Sequence, residues 1–278
     1  MKFYPLRKNV LVTLIAFILF SMLNTRVMAA APNISADAAI LLDVNTGEIL
    51  YEKNADKREY PASLTKIMTA ILALENGHMD KIVEISPNAA DVESTRLRGG
   101  EHIRLLDLVY QMMLISDNGC ATAVGESLTG GDVDYFAQLM NRRAAEMGTT
   151  STHFVNANGM PDSNHYTTAR DMGIIARYAL ENDEFRKIIG TAAKNIYYIK
   201  PQGRVEYCVN TNELLTTYAG CVGGKTGWTS AARGCLMVAA NRNGRELLAI
   251  ILHSNDDETR FSEGAALLDY GFSLSDVK

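Results

Sequence analysis

The sequence predicts an α/β chain of the α+β type: one antiparallel sheet flanked by helices, with a helical subdomain inserted between its strands. Three observations carry this. Extended, apolar-rich runs fill residues 37–53, helical spacing dominates from Ser63 to Leu180, and strand patterning returns from Asn195 before a last helical stretch. Grouping of this kind is not a βαβ alternation, so the sheet must draw on both ends of the chain. No Pro/Gly/Ser-rich linker separates independent domains, and the helical insertion is placed at about residues 78–190.

The elements follow in order. Residues 37–44 (D-A-A-I-L-L-D-V) and 48–53 (E-I-L-Y-E-K) flank Asn45-Thr46-Gly47, a hairpin signal with glycine in the connection. After Pro61, the stretch Ser63 to Asn76 carries Leu64, Ile67, Met68, Ile71, Leu72 and Leu74 at helical spacing, with Gly77 as its stop. Arg104 to Ser116, Asn118 to Leu128 and Asp132 to Met147 continue the helical stretch; in the last, Phe136, Leu139 and Met140 share one side. Thr168 and Asp171 form a capping box opening a helix to Leu180. Strands are expected at 195–200, 203–209, 222–228, 234–241 and 246–252, with Asn243-Gly244 turning between the last two, and then a helix from Arg260 to Tyr270.

Composition narrows the function. The chain has 278 residues, 47% of them hydrophobic and 21% charged, which is globular. A net charge of −5 without a basic run excludes nucleic acid as a partner. Lys2, Arg7 and Lys8 precede an apolar run from Val10 to Leu23, and Val27 and Ala29 are small enough for a cleavage site. Residues 1–29 therefore read as a secretory signal, and the chain as exported. If uncleaved, this segment would be the only membrane contact, although its apolar core is short for a span. Its removal takes away four positive charges and no acid, leaving −9. Cys120, Cys208, Cys221 and Cys235 contain no C-x-x-C pair, so no metal is expected. Cys208 and Cys221 flank a short loop and could bridge in an oxidising compartment; equally, all four could be small buried hydrophobes.

Three short motifs carry chemistry. In Ser63-Leu64-Thr65-Lys66 the hydroxyl and the amine fall at i and i+3 on one helix face and can touch. Serine needs a base to become a nucleophile, and a lysine can serve once burial has neutralised it. The same S-x-x-K spacing at Ser275 to Lys278 reads as chance. Ser116-Asp117-Asn118 joins two helices; Ser can relay a proton and the Asn amide can hold a peptide backbone, while helix capping explains the same residues. Lys225-Thr226-Gly227 lies on an expected strand and offers a cation, a hydroxyl and close backbone approach to an anion. A phosphate loop is excluded, because Ala219 stands where that motif has its first glycine.

In the order S-x-x-K, S-D-N, K-T-G these match the signature set of penicillin-binding proteins and class A β-lactamases. E-Y-P-A-S-L-T-K-I-M-T-A, N-A-N-G-M-P-D-S-N-H-Y-T-T-A-R-D-M, V-G-G-K-T-G-W-T and A-L-L-D-Y-G-F extend the likeness from about Ala36 to Phe272. The chain resembles the low-molecular-weight D-alanyl-D-alanine carboxypeptidases. The resemblance implies a β-lactamase/transpeptidase-like fold and a serine-type carboxypeptidase trimming the terminal D-Ala of peptidoglycan stem peptides, with β-lactam antibiotics as covalent inhibitors and no cofactor. It implies Ser63 as nucleophile, Lys66 as base, Ser116 and Lys225 as a proton path, and Asn118 on the substrate backbone. Thr226, Gly227, Trp228 and Arg260 are implied as substrate-binding residues, with the Ser63 and Trp228 amides forming the oxyanion hole. The second β domain and amphipathic anchor of many relatives are not expected here. Asp117 departs from the small residue usual at that place, and Gly119-Cys120 also departs, which leaves cross-link endopeptidase activity as an alternative. A β-lactamase would need an E-x-x-L-N glutamate, and none occurs. A wall-binding pseudo-peptidase would have lost a motif, and all three are intact. The five histidines fit no Ser-His-Asp triad; His165 is expected to hold a loop.

Overall fold

The computed structural model describes residues 30–75 and 78–274. The secretory segment, Asn76 and Gly77 as a helix end, and Ser275 to Lys278 lie outside the described residues. The elements are β1 (Ala38–Asp43), β2 (Ile49–Lys53), α1 (Thr65–Glu75), β3 (Ile82–Glu84), α2 (Pro87–Ala90), β4 (His102–Arg104), α3 (Leu105–Leu114), α4 (Asn118–Thr129) and α5 (Val133–Glu146). They continue with α6 (Ala169–Ala179), α7 (Asp183–Ile189), β5 (Ala193–Tyr197), β6 (Val205–Val209), α8 (Leu214–Thr217), β7 (Cys221–Thr229), β8 (Arg233–Arg242), β9 (Arg245–Ser254) and α9 (Thr259–Leu274).

The main sheet runs β2-β1-β9-β8-β7, all antiparallel, so its middle is made where the first strands meet the last. The middles of its central strands, Ala38–Leu42, Leu236–Ala240 and Leu247–Leu252, are apolar on both faces because both are covered. In β9, Leu248, Ile250 and Leu252 point into the core shared with the helices, while Leu247, Ala249 and Ile251 point into a second core under α9. The period of two sorts neighbouring residues to opposite cores. Asn243 and Gly244 both take positive φ, 53° and 84°, as a two-residue hairpin turn of this hand requires.

Two expectations are corrected here. The strands read at 195–200 and 203–209 do not extend the main sheet; β5 and β6 pair only with each other. Their alternation buries Ile196, Tyr198 and Cys208 and exposes Tyr197, Val205, Tyr207 and Val209, the pattern of a sheet covered on one face. The Cys208–Cys221 bridge is also absent, and all four thiols are free. Cys208 packs into the core on the helical side, whereas Cys221 packs against the core under α9. The Thr168 cap holds by half: its hydroxyl accepts from Asp171 N, but the Asp171 carboxylate turns away to Ser151 N and the Thr152 hydroxyl.

Candidate active site

Ser63 sits in a single 3₁₀ turn, Ala62–Leu64, feeding directly into α1. Two glycines pack against this turn. A Cβ on Gly159 would overlap the carbonyl oxygen of Ala62, and Gly159 takes φ +89°, which a side chain disfavours. A Cβ on Gly227, in the K-T-G strand β7, would stand 3.0 Å from Ser63 N and 3.1 Å from Ala62 Cβ. Strand and nucleophile turn therefore touch backbone to backbone, and the Ser63 amide lies against the residues leading to Trp228.

Three residues on, at the start of α1, Lys66 is completely buried. Its Nζ lies 2.8 Å from Ser63 Oγ, 2.7 Å from Asn118 Oδ1 and 2.6 Å from the carbonyl oxygen of Asn158. Burial pulls the amine down to about 7, with Asp117 and Cys120 opposing. A neutral amine has two N–H donors and one lone pair. The Asn118 and Asn158 oxygens match the donors, leaving the lone pair for the Ser63 hydroxyl.

Ser116 takes φ +61° between α3 and α4. Lys225 Nζ donates to Ser116 Oγ at 3.0 Å and to the Thr226 carbonyl at 2.7 Å. Burial also drives Lys225 well below the ordinary lysine range, aided by the charges of Lys66 and Arg260. The Thr226 hydroxyl lies 2.6 Å from that of Thr211, and Trp228 is half exposed at the rim. Arg260 opens α9 and is only 7% exposed; its Nη1 donates to Gly227 O at 2.9 Å and pairs with Asp257 at 2.7 Å. Despite that ion pair, the guanidinium is buried against the K-T-G strand. Its Nε is buried without a hydrogen-bond partner.

Asp117 is both a cap and a girder. Its carboxylate accepts from Cys120 N, Thr95 Oγ1, Arg96 N and Gln111 Nε2 at 2.7–3.0 Å, and Gln111 Oε1 accepts from the Tyr198 hydroxyl. The small Gly119 next to it is required, since a Cβ there would run into Thr95 and the carbonyl of Ala89. Asp117→Asn should cost about 1–3 kcal/mol, because buried donors lose a charged acceptor. It should also move the acidic limb of the pH–rate profile to lower pH, because the charge opposing neutralisation of Lys66 is gone. Thermal melts and a pH–rate series check both effects; an unmoved limb would mean that Asp117 acts on the fold alone.

Every motif residue singled out in the sequence is thus brought to one centre. Asn158, Gly159 and Thr211 were not singled out. Asn158 and Gly159 act through backbone, which side-chain chemistry in a sequence does not announce, and Thr211 follows β6 as an ordinary loop residue. His165 ties a loop, as expected: its Nδ1 accepts from Val155 N at 3.1 Å and its Nε2 lies 2.8 Å from Thr65 Oγ1. Burial lowers it to about 4, so it stays neutral.

A Ser–Lys pair at the start of one helix, packed directly against a K-T-G strand at the edge of the sheet, points to a class: the serine-type peptidases. The chain belongs to the D-alanyl-D-alanine carboxypeptidase family of serine peptidases, whose family model matches residues 25–256. It is 32% identical over 245 residues to D-alanyl-D-alanine carboxypeptidase DacF of Bacillus subtilis, covering 86% of this chain and 62% of that one. It is also 32% identical over 259 residues to a D-alanyl-D-alanine carboxypeptidase of Streptomyces sp. K15, covering 87% of this chain and 89% of the relative. The crystal structure of the Streptomyces K15 DD-transpeptidase superposes with a TM-score of 0.84 at 31% identity, covering 88% of this chain and all of that one.

Proposed function

We propose that this chain removes the terminal D-alanine from peptidoglycan stem peptides through an acyl-enzyme on Ser63. The observation that carries the reading is the buried Lys66 amine, 2.8 Å from Ser63 Oγ and lowered to about 7 by burial. Neutral Lys66 takes the hydroxyl proton as Ser63 Oγ attacks the carbonyl carbon of the penultimate D-alanine. The Ser63 and Trp228 N–H groups hold the oxyanion, a contribution commonly about 3 kcal/mol per donor. As the intermediate collapses, the C–N bond breaks and the proton that Lys66 took passes through Ser116, beside Lys225, to the departing amine, which leaves Lys66 neutral again. Asn118 keeps the peptide backbone in line. Water then attacks the ester carbonyl, Lys66 takes the water's proton and returns it to Ser63 Oγ as the C–O bond breaks, and Ser63 is freed.

Export and wall localisation belong to the same reading. They rest on the three-part layout of residues 1–29, and among the described residues no helix is long and apolar enough to cross a membrane. Purified protein offered a pentapeptide and a cross-linked dimer should release D-alanine from the pentapeptide; cleavage of the dimer alone would make it an endopeptidase.

Arg260 reads the terminal carboxylate in this scheme, together with Lys225 and Thr226. A guanidinium grips a carboxylate through two parallel bonds, and Arg260 is already desolvated beside Gly227. Arg260→Ala should lower kcat/KM on the peptide acid by about 10²-fold, the loss of one charged contact. The same peptide with an amidated terminus should barely notice. Equal losses on acid and amide would show that Arg260 supports the fold through Gly227 and Asp257.

A further inference from the structure

Away from the catalytic centre, three side chains from distant parts of the chain converge: Asp37 before β1, Glu59 on the approach to Ser63, and His253 near the end of β9. One possible ligand atom of each lies within 4.8 Å of the other two. His253 is aimed there by a bulge. Opposite Cys235 the β8–β9 register slips, with Gly234 facing Ser254 but Leu236 facing Ile251, and His253 takes φ +58°. Glu59 is 8% exposed, and its backbone is fixed by paired bonds to Thr167. The Nδ1 of His253 is a buried atom without a hydrogen bond, and Glu59 Oε2 stands 3.5 Å from it. The cation seated in the cluster is Lys57, whose Nζ lies 2.6 Å from Glu59 Oε1 and 2.8 Å from Asp37 Oδ2. Its side chain is 48% exposed, so the ammonium can swing into water without crossing the core. Two carboxylates against one ammonium leave the cluster with an excess negative charge.

We propose that Asp37, Glu59 and His253 form a binding site for a first-row divalent cation of the zinc type, with Lys57 holding the place of the metal until one binds. An imidazole with two carboxylates suits zinc better than calcium or magnesium, which favour oxygen ligands alone. Binding displaces the Lys57 ammonium to solvent and joins β1, the end of β9 and the segment four residues before Ser63. None of these atoms belongs to the catalytic centre, so the site stands or falls independently of the proposed reaction.

The test uses full-length, tag-free, chelator-stripped protein titrated with Zn²⁺ by calorimetry and by thermal melting, and with Co²⁺ by visible absorption. The expected result is one site per chain and a rise in Tm of about 5 °C or more at zinc a hundredfold above Kd. Cobalt should give the ligand-field bands of a nitrogen–oxygen site. Lys57→Met should bind about tenfold tighter, because the competing charge is removed and both carboxylates remain. Glu59→Gln and His253→Asn should each lose the Tm shift and the bands. If Glu59→Gln fails to fold, the half-exposed His253→Asn carries the test. A shift retained in His253→Asn, or Lys57→Met binding no tighter than wild type, would overturn the site.

Discussion

Replacing Ser63 with alanine should lower kcat/KM on D-alanyl-D-alanine peptides by roughly 10⁴-fold or more, since a nucleophile and its base act as one unit. The same substitution should abolish covalent capture of penicillin. Wild-type protein should gain one penicilloyl adduct by intact mass, and Ser63→Ala none. The adduct should be long-lived once free drug is removed, because the chain has no E-x-x-L-N glutamate. The Ser63 hydroxyl touches a fully buried amine, and its own amide lies beside Gly227, which would give it both a base and donors for an oxyanion. An adduct mapped to another serine would move the active site. Turnover of the ester at about 10 per second or faster, ordinary for an enzyme, would make this chain a β-lactamase.

The second large effect belongs to Lys66. Activity should rise with pH through a midpoint near 7, as the lysine loses its proton. Lys66→Met should lower kcat/KM by about 10³-fold, in the range of a lost general base, and abolish that limb. Stability carries a second signature. In the folded chain the amine titrates at about 7, against 10.5 for an ordinary lysine, so between those values the unfolded chain binds more protons. Stability contributed by this group therefore rises with pH across that window, and the cost of burial is fully present below about 7. The Tm of Lys66→Met relative to wild type should accordingly be most favourable near pH 6 and decline towards pH 10. The absolute offset includes the unpaired Asn118 and Asn158 oxygens, so the trend with pH is the quantity to measure. A flat difference across that range would mean that Lys66 is charged in the folded protein.

Much of this was legible in residue order because the signals were local. Strand and helix periods, the Asn243-Gly244 turn and the three motifs each lie within a few neighbouring residues. The S-D-N segment could be read as a cap or as a site; Asp117 does cap α4, and Ser116 and Asn118 are hydrogen-bonded to the two buried lysines. Features that depend on distant partners were not legible. β5 and β6 have strand composition, but only packing decides that they stand apart from the main sheet. The proximity of Cys208 and Cys221 in sequence gave no warning that they face opposite cores. Asn158 enters through its carbonyl oxygen, which every residue possesses.

The strand order β2-β1-β9-β8-β7 also dictates when the protein can first work. A chain emerging N-terminus first, from a ribosome or a translocation channel, presents β1 and α1 early, but β1 finds its central neighbour only after residues 245–254 have followed. Until then β1 has only the β2 hairpin, and a lone two-stranded hairpin is marginal in water. The K-T-G strand, made before its sheet exists, has no fixed wall from which to meet Ser63. Long-range pairing of this kind is slow to form. The Ser63 turn thus has no settled Gly227 strand to pack against until the last strands of the sheet have been made.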